Sequence, residues 1–65
     1  MRSREEVVQA ICEQVVHGIK RCGWDDSTTE AFDECIDKAI EMTVTFEELE
    51  VYDGLWFDVK MSIVL

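Results

Sequence analysis

The chain has 65 residues, with 15 acidic against six basic side chains and a formal net charge of −9. This length predicts a single compact domain over residues 1–65, near the lower size limit for folding without disulfides or metals. The charge is uneven, because residues 25–65 carry twelve acids and only two cations. Direct binding to nucleic acid or to an anionic membrane is therefore not expected, since phosphates would be repelled.

The first predicted element is a helix over residues 4–22. Ser3 and Glu6 form the S/T-x-x-E pattern of a capping box at its start. Apolar residues then recur every three or four positions, which indicates a helix packed against two neighbours. Gly23 stands where a helix often ends in a left-handed residue. His17 falls opposite the apolar stripe, and we expect it in solvent.

The second predicted element is a helix over residues 28–41, beginning at another capping box formed by Ser27 and Glu30. Its apolar residues form one inner face, and its short connection to the first helix favours antiparallel packing. The opposite face carries five acids within about 100° of the helix circumference. These acids are Glu30, Asp33, Glu34, Asp37 and Glu41.

From Met42 onwards apolar and polar residues alternate, which is typical of half-buried strands. The pattern predicts strands over residues 42–51 and 55–64, joined by a hairpin turn at Asp53-Gly54. The alternation breaks at Glu47-Glu48, which we interpret as a β-bulge. The expected fold class is therefore α+β: two N-terminal helices packed on a C-terminal two-stranded antiparallel β-hairpin, in the order ααββ.

No motif of an enzyme, a metal site or a cofactor site occurs in the sequence. The three glycines lie far apart, so there is no phosphate-binding loop, and a single histidine rules out most metal sites. General acid–base catalysis by a carboxylate requires a pocket that perturbs it, and a domain this small has little room for one. The sequence therefore predicts a non-enzymatic protein without a cofactor.

The cysteines help to predict the cellular compartment of the protein. Cys12, Cys22 and Cys35 occupy apolar helical positions and are predicted to be buried thiols. Their odd number, with no signal peptide, predicts a cytoplasmic protein. No apolar run approaches the roughly 20 residues that a membrane span needs.

The acids of the second helix and of the predicted hairpin form the candidate binding surface. Like charges one turn apart destabilise a helix by about 0.2–0.5 kcal/mol per pair, and Glu41 near the helix C-terminus is opposed by the helix dipole. Such a row can occupy a basic groove that normally holds a phosphate backbone. The alternative interpretation is that these acids only keep the protein soluble.

In its size, its free cysteines, its expected α/β fold and its run of helical acids, the chain resembles the very small, acidic, phage-encoded inhibitors of bacterial defence, anti-CRISPR proteins among them. The resemblance is one of type and involves no shared motif. It implies a protein that binds a basic surface of a target, such as a CRISPR effector subunit in the cytoplasm of a bacterial host, and blocks DNA binding as a DNA mimic.

By that resemblance the acids would stand in for phosphates, and Tyr52 and Trp56 would supply an apolar anchor. The candidate partner-binding residues are Glu30, Asp33, Glu34, Asp37, Glu41, Glu47, Glu48, Glu50, Tyr52, Asp53, Trp56 and Asp58. Two alternatives fit the same sequence. One is an antitoxin-type protein that covers a basic enzyme. The other is a small adaptor or regulatory protein that forms a homodimer through its apolar C-terminal strand.

Overall fold

The computed structural model describes residues 1–64, and this part of the chain forms four helices. They are α1 (Arg4–Arg21), α2 (Thr29–Thr43), α3 (Phe46–Val51) and α4 (Leu55–Val64). Helices α1, α2 and α4 each contact the other two, so they form a three-helix bundle. Helix α3 connects α2 to α4 outside this bundle.

Helix α1 begins at the predicted capping box. The Glu6 N–H donates to Ser3 Oγ at 3.2 Å, and the Ser3 N–H donates to Glu6 Oε1 at 3.1 Å. After the helix, Gly23 adopts a positive φ of 70°, and the chain turns so that the Trp24 N–H donates to the Gly18 carbonyl at 3.0 Å. A Cβ on Gly18 would lie 2.2 Å from the Trp24 ring, so the glycine makes room for the indole.

Helix α2 begins one residue later than its predicted capping box. The cap is Thr28, whose hydroxyl oxygen accepts from the Ala31 N–H at 3.0 Å. Ser27 lies outside the helix, and its N–H donates to Asp25 Oδ1 at 2.9 Å. The capping box predicted at Ser27 is therefore wrong, and the helix continues past the expected end to Thr43.

The buried core draws its side chains from the three helices of the bundle. They are Val7, Ile11, Val15, Cys35, Ile36, Ala39, Leu55 and Val59. Burial of a large aliphatic side chain stabilises a fold by about 1.5–3 kcal/mol. Helix α3 adds no apolar residue to this core, and its buried side chain is the carboxylate of Glu48.

The predicted α+β fold, with its ααββ order and C-terminal hairpin, is wrong. Residues 42–51 and 55–64 contain the end of α2 and the whole of α3 and α4, and no strand occurs in the part of the chain that the structure describes. A helix pairs its backbone groups within one segment. An isolated two-stranded sheet is at best marginally stable. Helices are therefore a more stable arrangement for these segments than a two-stranded hairpin.

The interruption interpreted as a β-bulge is a helix start. Thr45 and Glu48 form a capping box, with the Glu48 N–H donating to Thr45 Oγ1 at 3.2 Å and the Thr45 N–H donating to Glu48 Oε1 at 3.0 Å. The predicted hairpin turn at Asp53-Gly54 is the connection between α3 and α4, where Gly54 has a φ of 72°. Because residues 1–64 contain no strand edge, the predicted homodimer through a C-terminal strand is wrong too.

Candidate protein-binding surface

Four of the five predicted acids of α2 form one exposed surface, here called the α2 acidic face: Glu30, Glu34, Asp37 and Glu41. Successive members lie three or four residues apart, so each is one helical turn from the next. They point away from the core because Cys35, Ile36 and Ala39 occupy the opposite side of the helix. Within residues 1–64 no lysine or arginine forms an ion pair with any of the four.

The one cation on the same helix is directed elsewhere. The Lys38 ammonium lies 5.6 Å from the centre of the Trp24 ring, which suits a cation–π contact. The α2 acidic face therefore keeps its charges free of a direct partner in the described part of the chain.

Asp33, the fifth predicted acid of α2, has a structural role. Its carboxylate forms an ion pair with Lys60 of α4. The Lys60 ammonium also lies 5.4 Å from the ring centres of Phe32 and Trp56. These contacts hold α4 against α2, so Asp33 differs from the acids of the α2 acidic face.

Glu48 is buried and paired. Arg2 donates to both of its carboxylate oxygens, from Nε at 3.0 Å and from Nη2 at 2.8 Å. Arg2 Nη2 also donates to the Thr43 carbonyl at 2.5 Å. The hydrogen bond from Arg2, followed by the backbone hydrogen bond from Thr45, lowers the pKa of Glu48 to about 2 from its ordinary value of 4.5. This predicted site residue attaches α3 to the start of the chain.

A second arginine holds the connection between α3 and α4. Arg4 Nη2 lies 2.7 Å from Asp58 Oδ2, and the same nitrogen donates to the Asp53 carbonyl. The Tyr52 hydroxyl donates to the Arg2 carbonyl at 2.6 Å. Arg2 and Arg4, with these contacts, are here called the N-terminal clamp. The carboxylates of Glu47, Glu50 and Asp53 remain exposed.

Tyr52 and Trp56, the predicted apolar anchor, are half-buried and pack against the core. The predicted anchor belonged to a hairpin that the structure does not contain. The exposed aromatic residues are instead Phe46, which is 86% exposed, and Phe57. A helical reading of residues 55–64 would have indicated the exposure of Phe57, because that segment is apolar on nearly all sides and only one side can face the core.

The three cysteines differ in burial. Cys35 is buried as predicted, Cys12 is half-buried, and Cys22 is exposed, contrary to prediction, since it caps the end of α1. Burial raises the pKa of the Cys12 thiol.

Residues 1–64 contain no cluster of three or more His, Cys, Asp or Glu side chains arranged to hold a metal ion. No helix in the same range is both long and apolar enough to cross a membrane.

Comparison with known proteins adds no relative. No protein-family model, no curated protein and no solved structure matches this chain. Function must therefore be argued from the surface, its charges and its contacts.

Proposed function

We propose that the protein is a non-enzymatic acidic inhibitor. Its α2 acidic face binds a basic, nucleic-acid-binding surface of a target protein and blocks access of DNA to that surface. The observation that carries the proposal is the contrast among the acids. Asp33, Glu48 and Asp58 are paired with cations of this chain, whereas the four carboxylates of the α2 acidic face are exposed without such a partner in residues 1–64.

The α2 acidic face is unfavourable for the helix that carries it. Glu30 and Glu34 are like charges four residues apart, as are Asp37 and Glu41, and each such pair costs about 0.2–0.5 kcal/mol. Glu41 also stands close to the C-terminal end of α2, where the helix dipole disfavours an anion. Stability alone would favour lysines at some of these positions. A basic partner would relieve the repulsion and would associate faster through electrostatic attraction.

The length of the α2 acidic face suits a short stretch of nucleic-acid backbone. Residues 30–41 of a helix span roughly 16 Å at 1.5 Å per residue. One strand of DNA carries a phosphate about every 3.4 Å of axis, so this length corresponds to about five phosphates. Four carboxylates therefore approach the charge density that a phosphate-binding groove accepts.

The target class is proposed from the resemblance to small phage-encoded inhibitors in size, free cysteines and helical acids, without the expected α/β fold, which the structure does not have. We propose a CRISPR effector subunit in the cytoplasm of a bacterial host, with its DNA-binding groove as the surface that the α2 acidic face occupies. The antitoxin-type alternative uses the same electrostatics with a basic enzyme as target, so it differs in the partner and not in the face that binds.

The test compares two triple charge reversals with the same change in net charge. The site variant carries Glu34→Lys, Asp37→Lys and Glu41→Lys, and it leaves Asp33 unchanged because Asp33 pairs with Lys60. The matched control carries Glu47→Lys, Glu50→Lys and Asp53→Lys, at exposed acids of α3 and the connection that follows it. Circular dichroism is used first to check that both variants remain helical.

Each variant is added to a panel of purified CRISPR effector complexes, and binding of labelled target DNA is measured by electrophoretic mobility shift. We expect the wild type and the control to displace DNA from at least one effector, less so at high salt because charges are then screened. We expect the site variant to lose at least tenfold in potency. Equal loss in both triple variants would show that overall charge, and not the α2 acidic face, is responsible. Failure of the wild type on every effector would reject this target class.

A further inference from the structure

An apolar groove runs along the side of α1. Its first part, a depression of about 620 Å³, lies between α1 and α4 and is lined by Val8, Cys12 and Met61 among others. Its second part, a depression of about 390 Å³, continues along α1 beyond Cys12 and is lined by Val16. No residue of α2 lines either part as the structure describes them. We call the whole feature the α1 groove.

The α1 groove exposes apolar side chains in a regular row. Val8, Cys12 and Val16 follow one another at intervals of four residues, so they lie along one side of the helix. Val16 is 44% exposed, and Met61 beside the first part of the groove is 54% exposed. The first part has α4 as its second wall, whereas α1 residues alone line the second part.

The two ends of the α1 groove carry opposite charges. Arg4 and Asp58 line the first part and pair with each other, so Glu5 is the charge left unpaired there. Lys20 and Arg21 line the second part with one acid, Glu13, so cations exceed acids at this end. Within residues 1–64 neither Glu5 nor Lys20 nor Arg21 forms an ion pair. The row therefore has an acidic end, an apolar middle and a basic end.

A second copy of α1 running in the opposite direction complements each of these features. If the two-fold axis passes near Cys12, Val16 of one copy lies against Val8 of the other, because their positions are equally distant from the axis. Glu5 of one copy then lies near Lys20 of the other, and the same contact repeats across the axis. Two-fold interfaces are self-complementary in this way.

The shape of the α1 groove also suits a second copy of α1. The uncovered second half of α1, with Val16 exposed, can enter the partner's first half, where α1 and α4 form a walled groove. By symmetry the same insertion occurs twice. It would cover Val16 and Met61 in both copies.

We propose that the occupant of the α1 groove is a second copy of this chain, in an antiparallel two-fold dimer of α1 helices with Cys12 near the axis. The dimer forms mainly through α1, and residues 1–24 carry four cations and three acids, so two molecules of net charge −9 meet through their least acidic segment. It is independent of the inhibitor proposal, because none of the residues of the α2 acidic face lines the groove.

The test measures mass by sedimentation velocity across a range of concentrations. We expect the wild type to shift from 7.5 kDa towards twice that mass as its concentration rises. Val16→Glu places a charge in the apolar middle and should leave the chain monomeric. The matched control, Val51→Glu, makes the same change at a residue of α3 that is 56% exposed and lines no part of the α1 groove. It should dimerise like the wild type.

A charge swap tests the orientation of the two helices. Lys20→Glu should weaken dimerisation at least fivefold, because two like charges then meet at each end. Adding Glu5→Lys to the same chain restores both contacts in the dimer and should recover the wild-type dissociation constant. An interface elsewhere, or a parallel arrangement, would show no recovery in the double variant.

Cross-linking tests whether Cys12 lies near the two-fold axis of the dimer. In a Cys22→Ser background, a short bismaleimide should join two chains through Cys12, since Cys35 is buried. The same reagent should yield no covalent dimer with Val16→Glu in that background. The proposal is overturned by a wild type that stays monomeric at its highest attainable concentration, or by a dimer indifferent to both Val16→Glu and the charge swap.

Discussion

Helices α2 and α3 follow each other in the chain and both carry several acids, but they distribute apolar and charged residues in opposite ways. Helix α2 buries apolar side chains such as Ile36 and exposes four of its five carboxylates. Helix α3 buries the carboxylate of Glu48 and exposes Phe46 and Leu49. The first is attached to the bundle by hydrophobic packing, and the second by an ion pair with Arg2.

Because α2 and α3 are attached to the bundle in different ways, we expect them to unfold differently. Apolar burial distributes the stability of α2 over many contacts in the common core, so α2 should unfold only with the whole domain. Helix α3 depends on one buried carboxylate and its hydrogen bonds. Segments with few buried apolar contacts open locally at lower free energy than the core.

The largest expected effect is on the free energy of unfolding when one apolar side chain is truncated in each of α2 and α3. Ile36→Ala should lower the free energy of unfolding by about 2–5 kcal/mol, because it removes fully buried atoms from the core. Phe46→Ala removes a larger side chain but should change this free energy by no more than about 0.5 kcal/mol, because that side chain lies in solvent. Urea denaturation measures both. A large loss in Phe46→Ala would show that α3 packs through its apolar residues.

The second prediction concerns the charge of Glu48, which attaches α3 to the start of the chain. Glu48→Gln keeps the size of the side chain but loses the charged partner of Arg2. Amide protons of α3 should then exchange with solvent at least about tenfold faster, since hydrogen bonds to charged groups exceed neutral ones in strength. Amides of α2 should keep their protection.

The matched control for this substitution is Glu47→Gln, at the neighbouring exposed acid of α3. It removes the same charge without touching the ion pair, so exchange in α3 should remain as in the wild type. Equal acceleration in both variants would contradict the role assigned to Glu48.

Acid pH should lower the stability of α3 more than that of α2, without any mutation. The folded-state pKa of Glu48 lies at about 2, below its ordinary value of 4.5. Its contribution to stability is therefore complete above about pH 4.5 and is lost as the pH falls towards 2. Hydrogen exchange followed over this range should show α3 losing protection in the wild type. The Glu48→Gln variant should lack this step.

The smallest effect concerns the α2 acidic face. Glu41→Lys replaces a like-charge pair with Asp37 by an attractive one and places a cation near the C-terminal end of α2. It should raise the free energy of unfolding by about 0.3–1 kcal/mol. Thermal denaturation at low salt measures the gain, which high salt should reduce. A loss of stability would mean that Glu41 has a favourable contact in the folded protein.

The first two helices could be predicted from the sequence because their signals are local. Ser3 and Glu6 mark the start of α1, and Gly23 follows its end, where the structure has a positive φ. The start of α2 was misplaced by one residue because Ser27 and Thr28 are both good caps, and the choice between them depends on Asp25, which accepts from the Ser27 backbone.

The C-terminal third was mispredicted because two patterns overlap in it. Asp58 and Lys60 alternate with apolar neighbours as in a strand, yet each is polar because it pairs with another element, with Arg4 and Asp33 respectively. Tertiary contacts of this kind are invisible to a count of periodicity. The capping box at Thr45 was available in the sequence, and it would have indicated a helix start.

The candidate surface was predictable only in part. Helical periodicity placed Glu30, Glu34, Asp37 and Glu41 on one exposed side, as observed. It could not show that Glu48 would be buried, because that depends on an arginine far away in the sequence. The same limit explains why Tyr52, whose hydroxyl donates to the distant Arg2 carbonyl, was assigned to a partner-binding anchor.

The N-terminal clamp has a consequence for the order of events during synthesis. Its hydrogen bonds join residues separated by 46, 50 and 54 positions, from Arg2 to Glu48, from Tyr52 back to Arg2, and from Arg4 to Asp58. Contacts of such long sequence separation form late, because the intervening chain must first be ordered. While α1 and α2 leave the ribosome, Arg2 and Arg4 have no partners yet. Arg2 and Arg4 are thus synthesised well before their partners and are among the last residues to form their native contacts.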